Sequence, residues 1–205
     1  MIELKNVTIE TRHPILHNTT YMFTDGNIYG VVAENGSGKT TLFRTLVNLR
    51  KAKSGAIYFD DQPVYKKLKQ VFYFENVEWL DRNLTGMDYL QFVKKEWNSN
   101  MDVMDIINEW KMNEYIHLPI KKYSLGMKQR LIIGMYIVSD AKYMIMDEIT
   151  NGLDEENRAF FFQQLQNLKE KGKTIIVSSH YKDEIITACD TVLQMKDMTL
   201  CEVSL

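Results

Sequence analysis

The chain predicts an α/β fold: a mostly parallel sheet flanked by helices, an N-terminal antiparallel β subdomain, and a small helical subdomain. Three observations carry this. Residues 1–65 are rich in β-prone pieces with one helix among them, residues 77–122 turn helical, and from Ser124 onward helix and strand alternate. Such alternation builds parallel sheets, because each parallel crossover needs a connection of about a dozen residues or more. With 205 residues, 45% hydrophobic and 25% charged, and only 3 Pro and 10 Gly, the chain can bury its own core and is far from the composition of disorder. No repeat or linker divides it, so one domain over 1–205 is expected.

Each element has a local reason. Ile2, Leu4 and Val7 alternate loosely, residues 28–33 form a short apolar run, and GAIYFDDQPV sets a polar turn between two β-prone pieces. The helix among them runs from Gly38 to about Leu49, with Leu42, Phe43, Leu46 and Val47 on one face. Thr85 is an N-cap for MDYLQFVKKEW, and VMDIINEWKM is a second periodic segment, so the helical subdomain spans about 77–130. After it come LGMKQRLIIGMYIVS, the strand YMIMDE, a helix over residues 154–171 and the strand TIIVSS. Asp154 caps that helix, Glu155 and Glu156 suit its positive end, Phe161, Leu165 and Leu168 share a face, and Gly172 ends it. Both strands are near-continuous apolar runs with polar ends, as buried parallel strands are, and function is expected at those carboxyl ends.

Composition excludes several classes. A net charge of -2 offers no bulk attraction to nucleic acid, and no nucleic-acid partner is expected. The longest apolar stretch, residues 131–138, falls far short of the roughly 20 residues a membrane span needs. MIELKNVTIE lacks the apolar core of a leader, so a cytoplasmic protein is expected. Cys189 and Cys201 have no CxxC spacing and are read as buried hydrophobes.

The segment AENGSGKTT follows the strand IYGVV and opens a helix, the context that makes a glycine-rich string a phosphate loop. Asn35, Gly36, Ser37, Gly38, Lys39, Thr40 and Thr41 are its nucleotide-binding candidates. Backbone N–H groups must point at phosphate oxygens, which Gly36 and Gly38 permit, Lys39 adds charge, and the Thr40 hydroxyl can reach Mg²⁺. Ala33 stands where G-x-x-x-x-G-K-[ST] has its first glycine. The fold is then a P-loop NTPase core. At the end of the next apolar strand come Asp147, a metal candidate with Thr40, and Glu148, a candidate general base, with strand alternation separating their directions. His180 closes TIIVSSH and can meet a γ-phosphate at the same sheet edge, a catalytic candidate beside Glu148, whereas His13, His17 and His117 are read as ordinary residues.

YSLGMKQR over residues 123–130, MDEITNGLD over 146–154 and the SSH ending at His180 resemble the motifs of the ATP-binding-cassette (ABC) ATPases, and FRTLVNLRKAKSGAIYFDDQPV resembles their first helix, Ser-Gly turn and hairpin. The resemblance covers almost the whole chain. The first motif resembles the family signature, with Leu125 and Met127 in place of the usual residues around Gly126. The resemblance implies ATP and Mg²⁺ as cofactors and a head-to-tail dimer, with itself or a second cassette. Ser124 and Gly126 of one chain would close over the γ-phosphate at Lys39 of the other, with Asp154 in the D-loop also reaching nucleotide. The family's glutamine loop falls after VFYF at Glu75 or Asn76; Asn76 is the better register match and is assigned to nucleotide and metal. Arg12 or His13 takes the place of an adenine-stacking aromatic near Thr11. Ile149 replaces a proline and Met198 a turn glycine. The implied function is the ATP-hydrolysing subunit of a transporter, peripheral on the inner face of the cell membrane, acting through separate membrane-spanning permease subunits. Export of a drug or peptide fits the small insert, and Val77, Trp79 and Leu80 would form the coupling surface. A soluble cassette ATPase acting on a protein partner is the alternative.

Overall fold

Strand β1 (Ile2–Glu10) pairs antiparallel with β2 (Pro14–Phe23) and β4 (Ser54–Phe59), and β5 (Gln62–Pro63) completes a sheet in the order β2-β1-β4-β5. The computed structural model describes residues 1–34 and 36–203. The alternation of β1 is loose because the strand is bulged: Asn6 lies at φ 51, Lys5 and Asn6 both face solvent, and Val7 returns to the core beside Ile2 and Leu4. Neighbouring strands accommodate the bulge, since Asn6 Nδ2 donates to Asn18 Oδ1 at 3.1 Å and a Cβ on Gly55 would lie 2.4 Å from the Asn6 carbonyl oxygen. The polar turn before β5 is made by Asp60 (φ 48) and Asp61 (φ 58), the left-handed pair of a type I′ turn.

The second sheet contains β3 (Ile28–Val32), β6 (Val71–Tyr73), β7 (Tyr143–Met146), β8 (Thr174–Ser178), β9 (Thr191–Lys196) and β10 (Thr199–Glu202), in the order β10-β9-β3-β8-β7-β6. Only the β9–β10 pairing is antiparallel. Side chains alternate between two cores: Ile28, Met144, Met146, Ile175 and Val177 join one apolar cluster, and Tyr29, Val31, Tyr143, Ile145 and Ile176 the other. A sheet buried on both faces explains why β7 and β8 read as unbroken apolar runs.

Helix α1 (Lys39–Leu46) ends earlier than the expected position near Leu49, because Asn48 turns left-handed at φ 61. Helix α2 (Gly86–Trp97) starts with a reciprocal box in which Thr85 Oγ1 accepts from Asp88 N and Asp88 accepts from Thr85 N. Asp102 caps α3 (Val103–Glu109), Ser124 caps α4 (Leu125–Ser139), and Asp154 caps α5 (Glu155–Glu170). Helix α4 is buried on every side from Leu131 to Ser139, where it enters the core under the sheet. Helix α6 (Lys182–Ala188) lies against β3 at a glycine: a Cβ on Gly30 would sit 2.4 Å from Ile185 Cγ2.

The two cysteines differ. Cys189 is buried and its thiol is pushed up to about 12 by burial, whereas Cys201 is exposed on β10, correcting the expectation that both are core residues. Side chains of β10 alternate, so that Leu200 joins the core and Cys201 points to the opposite, solvent-exposed face. Among the described residues, no helix is long and apolar enough to cross a membrane.

Candidate functional site

Strands β3, β8 and β7 are neighbours and parallel, so their carboxyl ends bring three loops together. The loop after β3 passes through Gly36 (φ 79) and Gly38 (φ 99), left-handed positions that suit glycine, and Gly38 is also pressed on Ile15, within 2.8 Å of where a Cβ would stand. Helix α1 begins at Lys39, which is buried and donates from Nζ to the carbonyls of Ala33 at 3.1 Å and Glu34 at 3.4 Å. Ser37 Oγ is buried with no hydrogen-bond partner among the described residues. An ammonium, a helix N-terminus and a spare hydroxyl around one turn form an anion cradle. The cleft beside it is lined by Gly36, Gly38, Lys39, Thr40, Thr41, Glu148 and His180. Asn35 lies outside the described residues.

Across the cradle, Thr40 Oγ1 donates to Asp147 Oδ2 at 2.6 Å and Ser178 Oγ donates to Asp147 Oδ1 at 2.8 Å. Burial raises the Asp147 carboxyl above its ordinary range; the two hydroxyls oppose this, and the charges of Glu148 and Glu75 add to it. A divalent cation would relieve that crowding, and a hydroxyl with a carboxylate is a hard-oxygen donor pair of the kind Mg²⁺ takes. Among the described residues, no cluster of three or more His, Cys, Asp or Glu could hold a metal alone. The remaining ligands must then be phosphate oxygens and water, so the residues fit Mg²⁺ carried with a nucleotide.

Glu148 is oriented by a turn and not by strand alternation as expected, because β7 ends at Met146 and Glu148 is left-handed at φ 48. A non-glycine residue holds that conformation only where its surroundings fix it. They do: Glu148 N donates to Ser178 Oγ at 2.9 Å, so one hydroxyl fastens both acids. His180 Nε2 lies 3.0 Å from Glu148 Oε2, and Asn151 Nδ2 donates to the same oxygen at 3.2 Å.

The segment after β6 departs from the register that favoured Asn76. Asn76 Oδ1 accepts from Glu78 N at 2.9 Å, capping the short turn Val77–Trp79, so its amide oxygen is already committed. Glu75 is the buried residue, held by Arg44 Nε and Nη2 at 2.5 Å each and by Tyr73 OH at 3.0 Å. The Arg44 guanidinium keeps the Glu75 carboxyl below its usual range, and its charge acts on Asp147. Both residues line the adjoining part of the cleft with Thr40, Asp147 and Gln129.

Ser124 Oγ accepts from Met127 N at 3.2 Å and Asp154 Oδ1 from Asn157 N at 2.8 Å; both side chains are exposed. Gly126 and Leu125 abut Gly152, so the start of α4 touches the loop after Glu148 and stands outside the Lys39 cleft of its own chain. Arg12 and His13 are exposed at the β1–β2 turn, three and two residues before the Ile15 that meets Gly38. The sequence reading missed Ser178, Asn151, Arg44 and Gln129, whose side chain donates to the Ile149 carbonyl. Of these, only Ser178 left a trace, as a polar residue ending an apolar strand.

An anion cradle, a hydroxyl–carboxylate pair for a divalent cation and a carboxylate–imidazole pair facing the same cleft make a P-loop nucleoside triphosphatase. Comparison with known proteins narrows this. The ABC transporter family model matches residues 16–151, and the chain belongs to that family, as an ATP-hydrolysing, ATP-binding subunit of an ABC transporter. YybJ of Bacillus subtilis (strain 168), an ABC transporter ATP-binding protein, is 36% identical over 202 residues, covering 95% of this chain and 92% of its own length. SrtF of Streptococcus pyogenes, a lantibiotic transport ATP-binding protein, is 29% identical over 183 residues, covering 88% of this chain and 80% of its own. The fold matches the dimeric ATP-binding cassette MJ0796, solved in a post-hydrolysis state with ADP and Pi, at a TM-score of 0.87 and 21% identity, covering 100% of this chain and 99% of that one.

Proposed function

We propose that the chain powers export of a drug or peptide through separate membrane-spanning permease subunits, working at the inner face of the cell membrane as half of a nucleotide-closed dimer. One observation carries the dimer: Ser124, Gly126 and Asp154 sit at helix starts and none lines the Lys39 cleft of its own chain, two of them being exposed, so a second chain is needed for them to meet phosphate. The dimeric state of the structurally similar MJ0796 cassette supports the same reading. Similarity to a lantibiotic transport protein supports cargo of that kind.

In this mechanism Lys39, Ser37 and the N–H groups at the start of α1 hold the β- and γ-phosphates. Thr40 and Asp147 would hold Mg²⁺, which neutralises phosphate charge when bound. Glu148 accepts a proton from a water as its oxygen attacks the γ-phosphorus and the bond to ADP breaks. His180 fixes the Glu148 carboxylate, with Asn151 on the same oxygen. Trp79 packs edge-on against Tyr73 and Phe74 yet remains 44% exposed, an apolar surface suited to a permease contact. Affinity purification from membranes tests this: a co-purifying polytopic protein that stimulates ATP turnover is expected. Purification with soluble partners alone would replace export with the soluble alternative.

A further inference from the structure

Two loops deliver the pair Glu148 and His180: residues 148–153 after β7 and residues 179–181 after β8. Their near ends are tied by Thr150 Oγ1 and Ser179 Oγ at 2.7 Å, both buried. Their far ends meet on a single guanidinium. Arg158, one turn into α5, donates from Nη1 to the Leu153 carbonyl at 3.0 Å and from Nε to Glu184 Oε1 at 3.1 Å, and its Cζ lies 4.0 Å from the centre of the Tyr181 ring. The Arg158 side chain is only 14% exposed, although its partner Tyr181 is 40% exposed.

We infer that Arg158 is a positioning residue for ATP hydrolysis, holding Tyr181 and the Leu153 carbonyl so that His180 stays against Glu148. This rests on the roles given above to Glu148 and His180. Tyr181 follows His180 directly and precedes α6, and without the guanidinium its half-exposed ring has solvent on its free face. The ring's stacking then limits how the His180 backbone turns. The fork geometry matters, because one planar group serves a carbonyl, a carboxylate and a ring face at once, which a lysine ammonium on a flexible stem does not reproduce. Arg158 touches neither the Lys39 cleft nor Asp147, so its loss should act on the chemical step and leave nucleotide capture intact.

Steady-state ATP turnover of the full chain, with binding of a non-hydrolysable ATP analogue, decides this across Arg158→Met, Arg158→Lys, Tyr181→Phe and Tyr181→Leu, with His180→Ala run beside them. Arg158→Met is expected to lower kcat about 10- to 100-fold, the cost of a small misplacement at a reacting centre. KM and analogue affinity should stay within about 2-fold, as for an interaction realised only in the reacting state. Arg158→Lys should recover part of the rate, Tyr181→Phe should keep most of it, and Tyr181→Leu should lose it. The double variant Arg158→Met/Tyr181→Leu should be no slower than the worse single one, since both remove the same contact. Wild-type turnover in Arg158→Met with an inactive His180→Ala overturns the inference. Wild-type turnover in His180→Ala overturns the reading of the site beneath it. If Arg158→Met does not fold, equal rates in Tyr181→Phe and Tyr181→Leu overturn the inference on their own.

Discussion

Glu148 Oε2 lies 3.0 Å from His180 Nε2, although the two residues leave adjacent strands through separate loops. The carboxylate is thereby fixed by a residue from the loop after the neighbouring strand, and Glu148→Gln is expected to separate binding from breakdown. The amide keeps shape but accepts no proton, so turnover should fall about 10²- to 10⁴-fold. Nucleotide should remain bound and favour the closed dimer. Phosphate release and solution mass with ATP check this together; turnover within a few-fold of wild type removes Glu148 as the base.

Lys39→Ala should weaken ATP binding about 10- to 100-fold, because a charge-assisted bond to phosphate contributes roughly 1.5–3 kcal/mol. Among the described residues, Lys39 Nζ bonds only carbonyls of its own loop, at 3.1 and 3.4 Å, so the fold should survive. Titration with a fluorescent ATP analogue measures the loss, and unchanged affinity would falsify the phosphate cradle.

Ser124 is exposed and does not line the Lys39 cleft of its own chain, so a chain carrying Ser124→Ala and a chain carrying Lys39→Ala should complement partly when mixed. Each mixed dimer holds one intact composite site. Activity no higher than the separate variants, with heterodimers demonstrated by mass, would show that the sites do not form across two chains.

Glu75→Gln should destabilise the fold in a pH-dependent way. The Arg44 guanidinium holds the Glu75 carboxyl below its ordinary 4.5, so this pair stabilises above that value and its contribution is lost as pH falls through the folded value. Arg44 is 47% exposed, and removing Glu75 also relieves Asp147, which sets the loss at pH 7 near 1 rather than 3 kcal/mol, as an order of magnitude. Urea unfolding should show the gap from wild type holding between pH 7 and 5 and closing only as pH falls below 4.5; a gap that stays constant down to about pH 2 rules out the ion pair as its source.

Gly30→Ala should push α6 off the sheet, since the added Cβ meets Ile185 Cγ2 at 2.4 Å and Cys189 Sγ at 3.0 Å. Overpacking of this kind costs about 1–3 kcal/mol. Thermal unfolding measures it, and because α6 begins two residues after His180, turnover should fall as well. A variant as stable as wild type would mean that α6 yields freely.

The site was legible wherever its chemistry follows from neighbours along the chain. Gly36 to Thr41 must be contiguous to wrap one phosphate, Asp147 and Glu148 follow directly on one buried strand, and Thr85, Ser124 and Asp154 cap helices through bonds to a residue three positions on. These are local constraints, so residue type and spacing carry them. Alternation led to the expectation that a neighbouring parallel strand brings His180 to the edge that carries Glu148, but the expected partner there was a γ-phosphate, and the contact with Glu148 was not foreseen.

What tertiary structure alone decided lies between residues distant in sequence. Glu75 came to be buried in the cleft beside Asn76 because Arg44 on α1 reaches it, while the Asn76 amide oxygen caps a turn. Glu148 took a left-handed backbone because Ser178, from another strand, accepts its N–H. Arg158 came to hold Tyr181 because α5 and α6 pack side by side, and Cys201 stayed exposed because the face of β10 opposite the buried Leu200 is uncovered. No spacing encodes such contacts: each depends on where separate elements settle as the two faces of the sheet are buried, and a side chain's partner is fixed only once that packing is complete.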